Sequence, residues 1–407
     1  MKFEINRSYL SIQINKNLKI SSYKNDIPYF NGIFFEVLAN KIIITTSDGI
    51  TSIKNTLSNN LKVIEQGSFL VDRKYLGLIL RKIDDNLITI SEKDNLILIK
   101  GKKFTSTINC MDKKSYPKNL FQNENWTGVI SINAFSLYES IKKCKFLINR
   151  NEKHSALTGI NLKSDLKLNQ LVFSATDSFR IAQVKRIAKF EFFDMQMKSD
   201  IDIIIPYNFI DVLEKLLSEN YLSSNKNQDI KLLYNKNKMQ FVQDYALSSQ
   251  ESDQVLLQSH LINDSFPNTI KMIANQEVKK CSEILIKKSV LEKVVDRVSL
   301  LSNTFDDNII QIKVDQNLID ISSTVSETGS SDEKIVSKNL ETKEENYSFK
   351  GKNQKISVNS NYFASALKAF SENNEVRIKI FDLDQPLIIE NKDNIDHIQL
   401  ILPIQVY

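Results

Sequence analysis

The sequence predicts an α+β protein of three tandem domains, each made of two strand–helix–strands units. Short strands of alternating apolar and polar residues occur throughout, for example at 87–90 and 376–381. One strand–turn–helix pattern also recurs six times at intervals of roughly 60–80 residues, too long for a solenoid repeat. Its copies begin at Phe3, Phe69, Val129, Ile203, Ile284 and Ile356. In 407 residues these six units pair into three domains, in which helices pack on antiparallel sheet.

Two polar stretches set the predicted domain boundaries. The first covers residues 113–125 and ends just before Trp126, and the second follows Ser265-Phe-Pro-Asn-Thr and ends before Glu283. The expected domains are therefore 1–125, 126–278 and 279–407.

Composition and charge indicate a globular protein whose positive charge is concentrated in the first third of the chain and whose negative charge is concentrated in the last third. Hydrophobic residues make up 42% and charged residues 25%, and no apolar run reaches the roughly 18–20 residues of a membrane span. The amino-terminal residues alternate polar and apolar, which predicts no signal peptide. Three widely spaced cysteines favour free thiols in a reducing cytoplasm. Cutting the chain near residues 125 and 280 gives net charges of +7, +3 and −5, which favours head-to-tail attraction between copies.

Basic residues accompany the predicted helices at similar positions of the repeated unit. In the helix predicted over 137–148, Leu137, Ile141, Cys144 and Ile148 share an apolar face and the lysines lie off it. A solvated amphipathic helix explains any single case, but recurrence would bring the cations to one surface that contacts phosphates without reading bases. The cations expected on this phosphate-contacting surface are Lys16, Arg73, Lys142, Lys145, Lys293 and Arg297.

No pattern in the sequence predicts a reaction. Phosphate-binding loops, nucleophile elbows and paired-cysteine metal motifs are missing, so no catalytic residue, metal or cofactor is expected. His154, His260 and His397 lie in polar surroundings and are predicted to be surface residues, whereas Cys144 is predicted to be core.

The segment Ser174-Ala-Thr-Asp-Ser-Phe-Arg-Ile-Ala and the ending Leu400-Ile-Leu-Pro-Ile-Gln-Val-Tyr resemble the bacterial sliding-clamp family, the beta subunit of DNA polymerase III. Segments beginning at Ile27, Thr45, Leu157 and Ser265 also resemble it, in order and nearly end to end. This chain has Ser178-Phe179 where the family usually has Gly-His, and Gln405 where the family commonly has arginine.

The resemblance implies a non-catalytic accessory subunit of a DNA-directed DNA polymerase. Such clamps are head-to-tail homodimers that close into a ring, with inner helices around duplex DNA and outer antiparallel sheets. They give processivity in DNA replication by tethering the polymerase III catalytic subunit, and the clamp loader and other replication and repair proteins bind them as well. No membrane partner is implied. The residues implied at the dimer interface are Lys74, Phe104, Ser106, Leu300 and Leu301.

The resemblance also implies a groove for short, partly apolar partner peptides. Three chain segments would form it: the second-domain turn, the exit from domain two and the carboxyl-terminal residues. The matching residues are Leu157, Thr176, Ser178, Phe179, Arg180, Ile181, Pro267, Lys271, Met272, Leu400, Ile401, Leu402, Pro403 and Ile404. In the alternative interpretation, residues 401–406 are only the final core strand.

Two other function classes remain open at this level. A nuclease or other enzyme of nucleic-acid metabolism would need clustered carboxylates with metal geometry, and none is visible in the sequence. A clamp-like repeat protein without a DNA role would bind proteins only.

Overall fold

The structure is a computed structural model of the chain. It describes residues 1–20, 26–121, 124–194, 199–221, 228–245, 253–302, 308–323, 329–337, 346–382, 384–393 and 395–405. The chain forms two compact units, Met1–Tyr138 with Ala188–Asn263, and Glu139–Ile187 with Asp264–Tyr407. The predicted domain boundaries after residues 125 and 278 stay predictions.

The described residues form helices and strands in a repeating order. The helices are α1 (Arg7–Asn17), α2 (Arg73–Lys82), α3 (Ala134–Lys145), α4 (Tyr207–Tyr221), α5 (Thr269–Glu277), α6 (Lys288–Val298) and α7 (Ser360–Lys368). The strands are β1 (Lys2–Asn6), β2 (Gly32–Val37), β3 (Ile42–Ser47), β4 (Thr51–Leu57), β5 (Leu61–Glu65), β6 (Gly67–Asp72), β7 (Leu87–Lys93), β8 (Leu96–Lys100), β9 (Thr105–Asn109), β10 (Gly128–Asn133), β11 (Gly159–Asp165), β12 (Gln170–Thr176), β13 (Arg180–Ile187), β14 (Lys189–Phe192), β15 (Asp202–Pro206), β16 (Asp229–Tyr234), β17 (Lys238–Tyr245), β18 (Asp253–His260), β19 (Ser282–Lys287), β20 (Ile309–Val314), β21 (Leu318–Ser323), β22 (Asp332–Val336), β23 (Tyr347–Lys350), β24 (Gln354–Asn359), β25 (Glu375–Ile380), β26 (Leu387–Asn391) and β27 (His397–Ile401).

Antiparallel sheet dominates each unit. In the unit that holds the amino terminus, one sheet has the order β5-β1-β7-β8-β9 and the other β14-β10-β16-β17-β18-β4-β3-β2-β6. In the other unit, one sheet contains β11-β12-β13-β27-β26-β25-β19-β23 and the second has the order β22-β21-β20-β24. Both units thus combine antiparallel sheets with helices, as the α+β prediction requires.

All six predicted strand–helix junctions are present: β1–α1, β6–α2, β10–α3, β15–α4, β19–α6 and β24–α7. Four of these strands end in Asn or Asp, whose side-chain oxygen accepts a hydrogen bond from the first turn of the helix. Asn6 caps α1, Asp72 caps α2, Asn133 caps α3 and Asn359 caps α7. Because the cap is the last residue of the strand, the helix begins without a connecting loop.

The apolar faces predicted for two helices are buried. Leu291, Val294, Val295 and Val298 of α6 belong to one large core cluster, which α7 shares through Phe363. In α3, Leu137, Ile141 and Cys144 are buried, but the helix runs three residues ahead of the prediction and ends at Lys145. Ile148 therefore lies beyond the helix.

Helix α5 was not predicted. It begins after Asn268, whose side-chain oxygen accepts from the backbone N–H of Lys271. The sequence around it indicated only a polar exit from domain two.

Within the described residues, no helix is long and apolar enough to cross a membrane.

Candidate functional site

Three distant chain segments meet at the edge of β13. Strand β27 pairs with β13 so that Ile181 lies opposite Leu400, and the backbone N–H of Leu402 donates to the carbonyl of Phe179 at 2.9 Å. Ile273 of α5 packs in one apolar cluster with Ile181 and Leu400. The second-domain turn, the domain-two exit and the carboxyl-terminal residues are therefore adjacent, as the groove prediction requires.

Leu157 lies in a short 3₁₀ turn, Ser155–Thr158, that is tied to the same region. The Ser155 hydroxyl donates to a carboxylate oxygen of Asp264 at 2.6 Å, which holds this turn against the segment that leads to Pro267. Leu157 itself is buried. It is therefore not part of the accessible wall of the site.

Arg180 is held in one orientation by four neighbours. Its Nε donates to Asp177 at 2.7 Å and its Nη1 to the Ser365 hydroxyl at 2.5 Å. The guanidinium also lies 4.3 Å from the ring centroid of Tyr362 and 5.4 Å from that of Phe146. The predicted rim arginine is therefore a partly buried group whose orientation is set by two hydrogen bonds and two aromatic rings.

An aromatic wall accompanies this arginine. The Phe179 side chain is 56% exposed, and its ring centroid lies 6.2 Å from that of Tyr362 on α7. Sequence reasoning missed Tyr362, because no local pattern shows that α7 contacts a turn so distant in the chain. The sequence indicated only that Tyr362 lies in the first turn of a helix, just after its capping residue Asn359.

Ser178 adopts a left-handed backbone with φ of 74°. Glycine takes this conformation at little cost, whereas another L-residue costs roughly 1–2 kcal/mol. The Ser178 N–H donates to the Thr176 hydroxyl at 3.3 Å, which helps to hold the turn. This backbone conformation explains why glycine is the usual residue here in the family that the sequence resembles.

The predicted groove residues divide into an accessible set and a buried set. Met272 is 53% exposed, and Phe179, Ser178, Pro267, Lys271 and Leu402 are also exposed, with Pro403 and Ile404 partly so. Ile181 and Leu400 form the buried floor.

Two groove predictions need correction. Ile401 is fully buried in the core cluster that includes Phe363, since alternate residues of β27 face opposite sides of the sheet. Thr176 is buried, and its hydroxyl donates to the Arg180 carbonyl at 2.8 Å. The core-strand interpretation therefore holds for Ile401, but the chain leaves the sheet at Leu402. Val406, its predicted end, lies outside the described residues.

The structure separates the cations that were predicted to face DNA. Lys142 and Lys293 are exposed, and Lys145 is half-buried. Arg297 is exposed as well, but it forms a bidentate ion pair with Glu333, with Nε 2.8 Å from a carboxylate oxygen. Its charge is thereby largely compensated.

Lys16 and Arg73 are corrections, because neither presents its charge to solvent. Lys16 is 6% exposed, and its ammonium donates to the Gln13 side chain at 2.8 Å. Arg73 is 1% exposed and shares the buried stripe of α2 with Leu76 and Leu80, at helical spacings of three and four residues. That spacing was visible in the sequence and should have assigned Arg73 to the buried face.

The exposed face of α2 carries other cations. Lys74, Arg81 and Lys82 are exposed together with Leu78, opposite the buried stripe. Arg81 donates to the Asn15 side chain of α1 at 2.9 Å. None of these three cations belongs to the predicted DNA-facing set, and Lys74 was predicted at the dimer interface instead.

Besides Lys74 on α2, the predicted interface residues lie at or beside a sheet edge and in an exposed turn. In the amino-terminal unit, β9 is the last strand of its sheet and contains Ser106, while Phe104 just precedes it and packs on the core. In the other unit, β22 is a terminal strand, and Leu300 is 80% exposed. Leu300 and Leu301 lie in a 3₁₀ turn, Ser299–Leu301, directly after α6 and not on the helix itself.

His397 contradicts the prediction of a surface histidine. It is buried on β27, stacks on Phe370 with ring centroids 4.2 Å apart, and has Nε2 2.7 Å from the Gln399 side-chain nitrogen. Burial, with Lys143 and Arg186 nearby, holds the pKa of His397 well below its ordinary value.

Cys144 is buried as predicted, and its burial raises the pKa of the thiol to about 12. Across the described residues, no group of three or more His, Cys, Asp or Glu side chains could hold a metal ion.

Three family models match consecutive parts of the chain. The DNA polymerase III beta subunit N-terminal domain matches residues 1–120, the central domain 131–268 and the C-terminal domain 276–405. The three-domain organisation is confirmed.

Relatives and solved structures agree with these matches. A beta sliding clamp of Mycoplasma capricolum is 30% identical over 409 residues, and one of Staphylococcus epidermidis is 27% identical over 415, each alignment covering at least 99% of both chains. The fold is similar to the crystal structure of a DNA polymerase sliding clamp from Bacillus subtilis, with a TM-score of 0.85 at 24% identity over all of both chains. The family models and the Mycoplasma relative together show that this chain belongs to the DNA polymerase III beta subunit family, the beta sliding clamps.

Proposed function

We infer that this chain is a DNA sliding clamp, a non-catalytic processivity factor that encircles duplex DNA and tethers DNA polymerase. The observation that carries this inference is family similarity over nearly the whole chain, from residue 1 to residue 405. A closed ring needs no tight DNA site, since topology prevents escape and weak phosphate contacts permit sliding.

The ring is proposed to close through two copies joined head to tail. The terminal strands β9 and β22 are the strands that would pair. Phe104 lies just before β9, and the exposed Leu300 follows helix α6, whose Arg297 pairs with Glu333 of β22. The front third of +7 and the back third of −5 would attract each other across this contact. Lys74, Ser106 and Leu301 complete the proposed interface.

The DNA-facing surface is proposed to include Lys142, Lys145 and Lys293, together with Arg81 and Lys82 of α2. Their exposure or half-exposure supports phosphate contact, whereas Lys16 and Arg73 are too buried to act directly. Arg297 would contribute only where DNA replaces Glu333 as its partner. Contacts of this kind are salt-dependent and do not depend on sequence.

The site around Phe179, Met272 and Leu402 is proposed to bind the partner peptide. Its accessible apolar side chains stand over a buried floor formed by Ile181, Ile273 and Leu400. Such a site buries one or two apolar anchors of a peptide, so affinity around micromolar is expected. The polymerase catalytic subunit, the clamp loader and repair enzymes are the proposed partners, and work on chromosomal DNA would place the protein in the cytoplasm.

Retention on circular DNA tests the clamp function. The protein would be loaded by a clamp loader onto nicked circular DNA, gel-filtered, and compared before and after linearisation. We expect retention on the circle and loss from the linear form, because only a free end lets a ring slide off. Equal retention on both forms would contradict encirclement, and cleavage of the circle in Mg²⁺ would favour a nuclease.

Removal of Leu402–Tyr407 tests the groove separately. The truncation should abolish binding of a fluorescent polymerase-derived peptide, measured by anisotropy, while the solution mass stays that of a dimer. Unchanged peptide affinity would contradict the groove assignment. Loss of the dimer as well would show that the segment has a broader structural role.

A further inference from the structure

A second cleft lies beside the carboxyl-terminal residues, within the unit that contains β13 and β27. It encloses about 430 Å³ between β20, β24, the turn after β25 and residues 403–405. Ile356, Phe381 and Ile404 supply apolar surface, and Asp382, Asp384 and Lys355 supply charge. The cleft thus presents two carboxylates against one ammonium.

The cleft continues the proposed peptide groove. Pro403 and Ile404 belong to both, and the backbone N–H of Ile404 donates to the Ser357 carbonyl at 2.8 Å, which fixes this segment between them. Phe381 packs in the same apolar cluster as Ile181, Ile273 and Leu400. A peptide anchored over that floor would therefore reach the cleft without leaving the protein surface.

The cleft of this chain carries more negative than positive charge. Both carboxylates are exposed, and among the described residues neither forms an ion pair. Gln405 lines the cleft at the position where the family commonly has arginine, so no cation from this segment offsets the two aspartates.

We propose that this cleft receives the flank of the partner peptide and selects a lysine or arginine next to the apolar anchors. The inference rests on the proposed groove and adds to it the charge of the preferred partner. Aliphatic parts of such a side chain would pack on Ile356 and Ile404, while its cationic end reaches Asp382 and Asp384. Because these contacts are exposed, the cation would tune selectivity and the anchors would supply most of the affinity.

Paired peptides test this selection. The probes are fluorescein-labelled decapeptides with two leucine anchors, one with lysine on both flanks and one with glutamine at the same positions. Anisotropy at low salt should show the lysine peptide binding roughly three- to tenfold tighter, and the ratio should fall towards one at high salt.

The double variant Asp382→Asn with Asp384→Asn should remove this preference without loss of the fold. Asp384 has φ of 70°, a conformation that asparagine tolerates as well as aspartate. Glu372→Gln, at an exposed position outside the cleft, is the matched control and should keep the full preference.

The outcomes separate this inference from the groove itself. A lysine preference that persists in the double variant would overturn the cleft assignment, while the groove would stand. If neither peptide binds and the Leu402–Tyr407 truncation changes nothing, the groove and the cleft fail together. If the double variant instead alters the mass of the protein in solution, the cleft contacts a second copy and the proposal is wrong.

Discussion

Leu300→Ala should weaken dimerisation strongly. The Leu300 side chain is 80% exposed in the single chain, so nearly all of its apolar surface would be newly buried in the proposed interface. Leucine to alanine removes about three methylene equivalents, worth roughly 2 kcal/mol at about 0.8 kcal/mol each. A two-copy ring has two identical interfaces, so dissociation should become easier by about 4–5 kcal/mol, or about a thousandfold in Kd.

Analytical ultracentrifugation over a dilution series would measure this shift, because monomer and dimer differ by the chain mass of 46.8 kDa. Adding Leu301→Ala should shift the equilibrium further, but by less, because that side chain is already partly buried. Leu168→Ala is the matched control, since Leu168 is 63% exposed in a hairpin outside the proposed contact. An unchanged dimer Kd for Leu300→Ala, or an equal shift for Leu168→Ala, would refute the interface assignment.

Three further predictions concern charge, backbone and pH. Lys142→Gln with Lys293→Gln should weaken equilibrium binding to a short linear duplex and flatten its salt dependence equally for all DNA sequences, whereas a changed sequence preference would contradict sliding. Ser178→Gly should stabilise the fold by up to about 1 kcal/mol in urea unfolding, since relief of the left-handed backbone exceeds the entropic cost of glycine; a loss of stability would mean that the serine side chain matters more than its backbone. His397 should make stability fall as pH drops below about 6.5, because the unfolded chain binds the proton first while the folded pKa is depressed. His397→Gln should therefore flatten the slope of stability against pH between 5 and 6.5 by up to about 1.4 kcal/mol per pH unit, and identical slopes would exclude this role.

Local patterns in the sequence predicted the strand–helix units well. Each depends on neighbouring residues: alternation gives the strand, Asn or Asp caps the next helix, and apolar spacing selects its buried face. The faces of α6 and α3 followed from this spacing. Applied consistently, the same rule would also have buried Arg73.

Long-range contacts decided what the sequence could not predict. His397 looked exposed among polar neighbours, yet β27 lies inside a sheet and Phe370 covers the ring. Lys16 donates to the side-chain oxygen of Gln13, which also accepts from Asn55 of the distant strand β4 at 3.2 Å. Tyr362 enters the candidate groove only because α7 meets a turn far away in the chain. The spacing of residues along the sequence does not show which distant segments will contact one another.

The pairing of β27 with β13 has a consequence for synthesis of the chain. Arg180 of β13 pairs in register with Ile401 of β27. After Arg180 has left the ribosome, about 220 further residues must therefore follow before these two strands can pair. The same delay applies to β4, whose partner β18 ends at His260. In the meantime each strand has an unpaired edge that can join a neighbouring chain. A nascent chain stalled before β27 should therefore aggregate more readily than the finished protein, although it already contains most of the core residues.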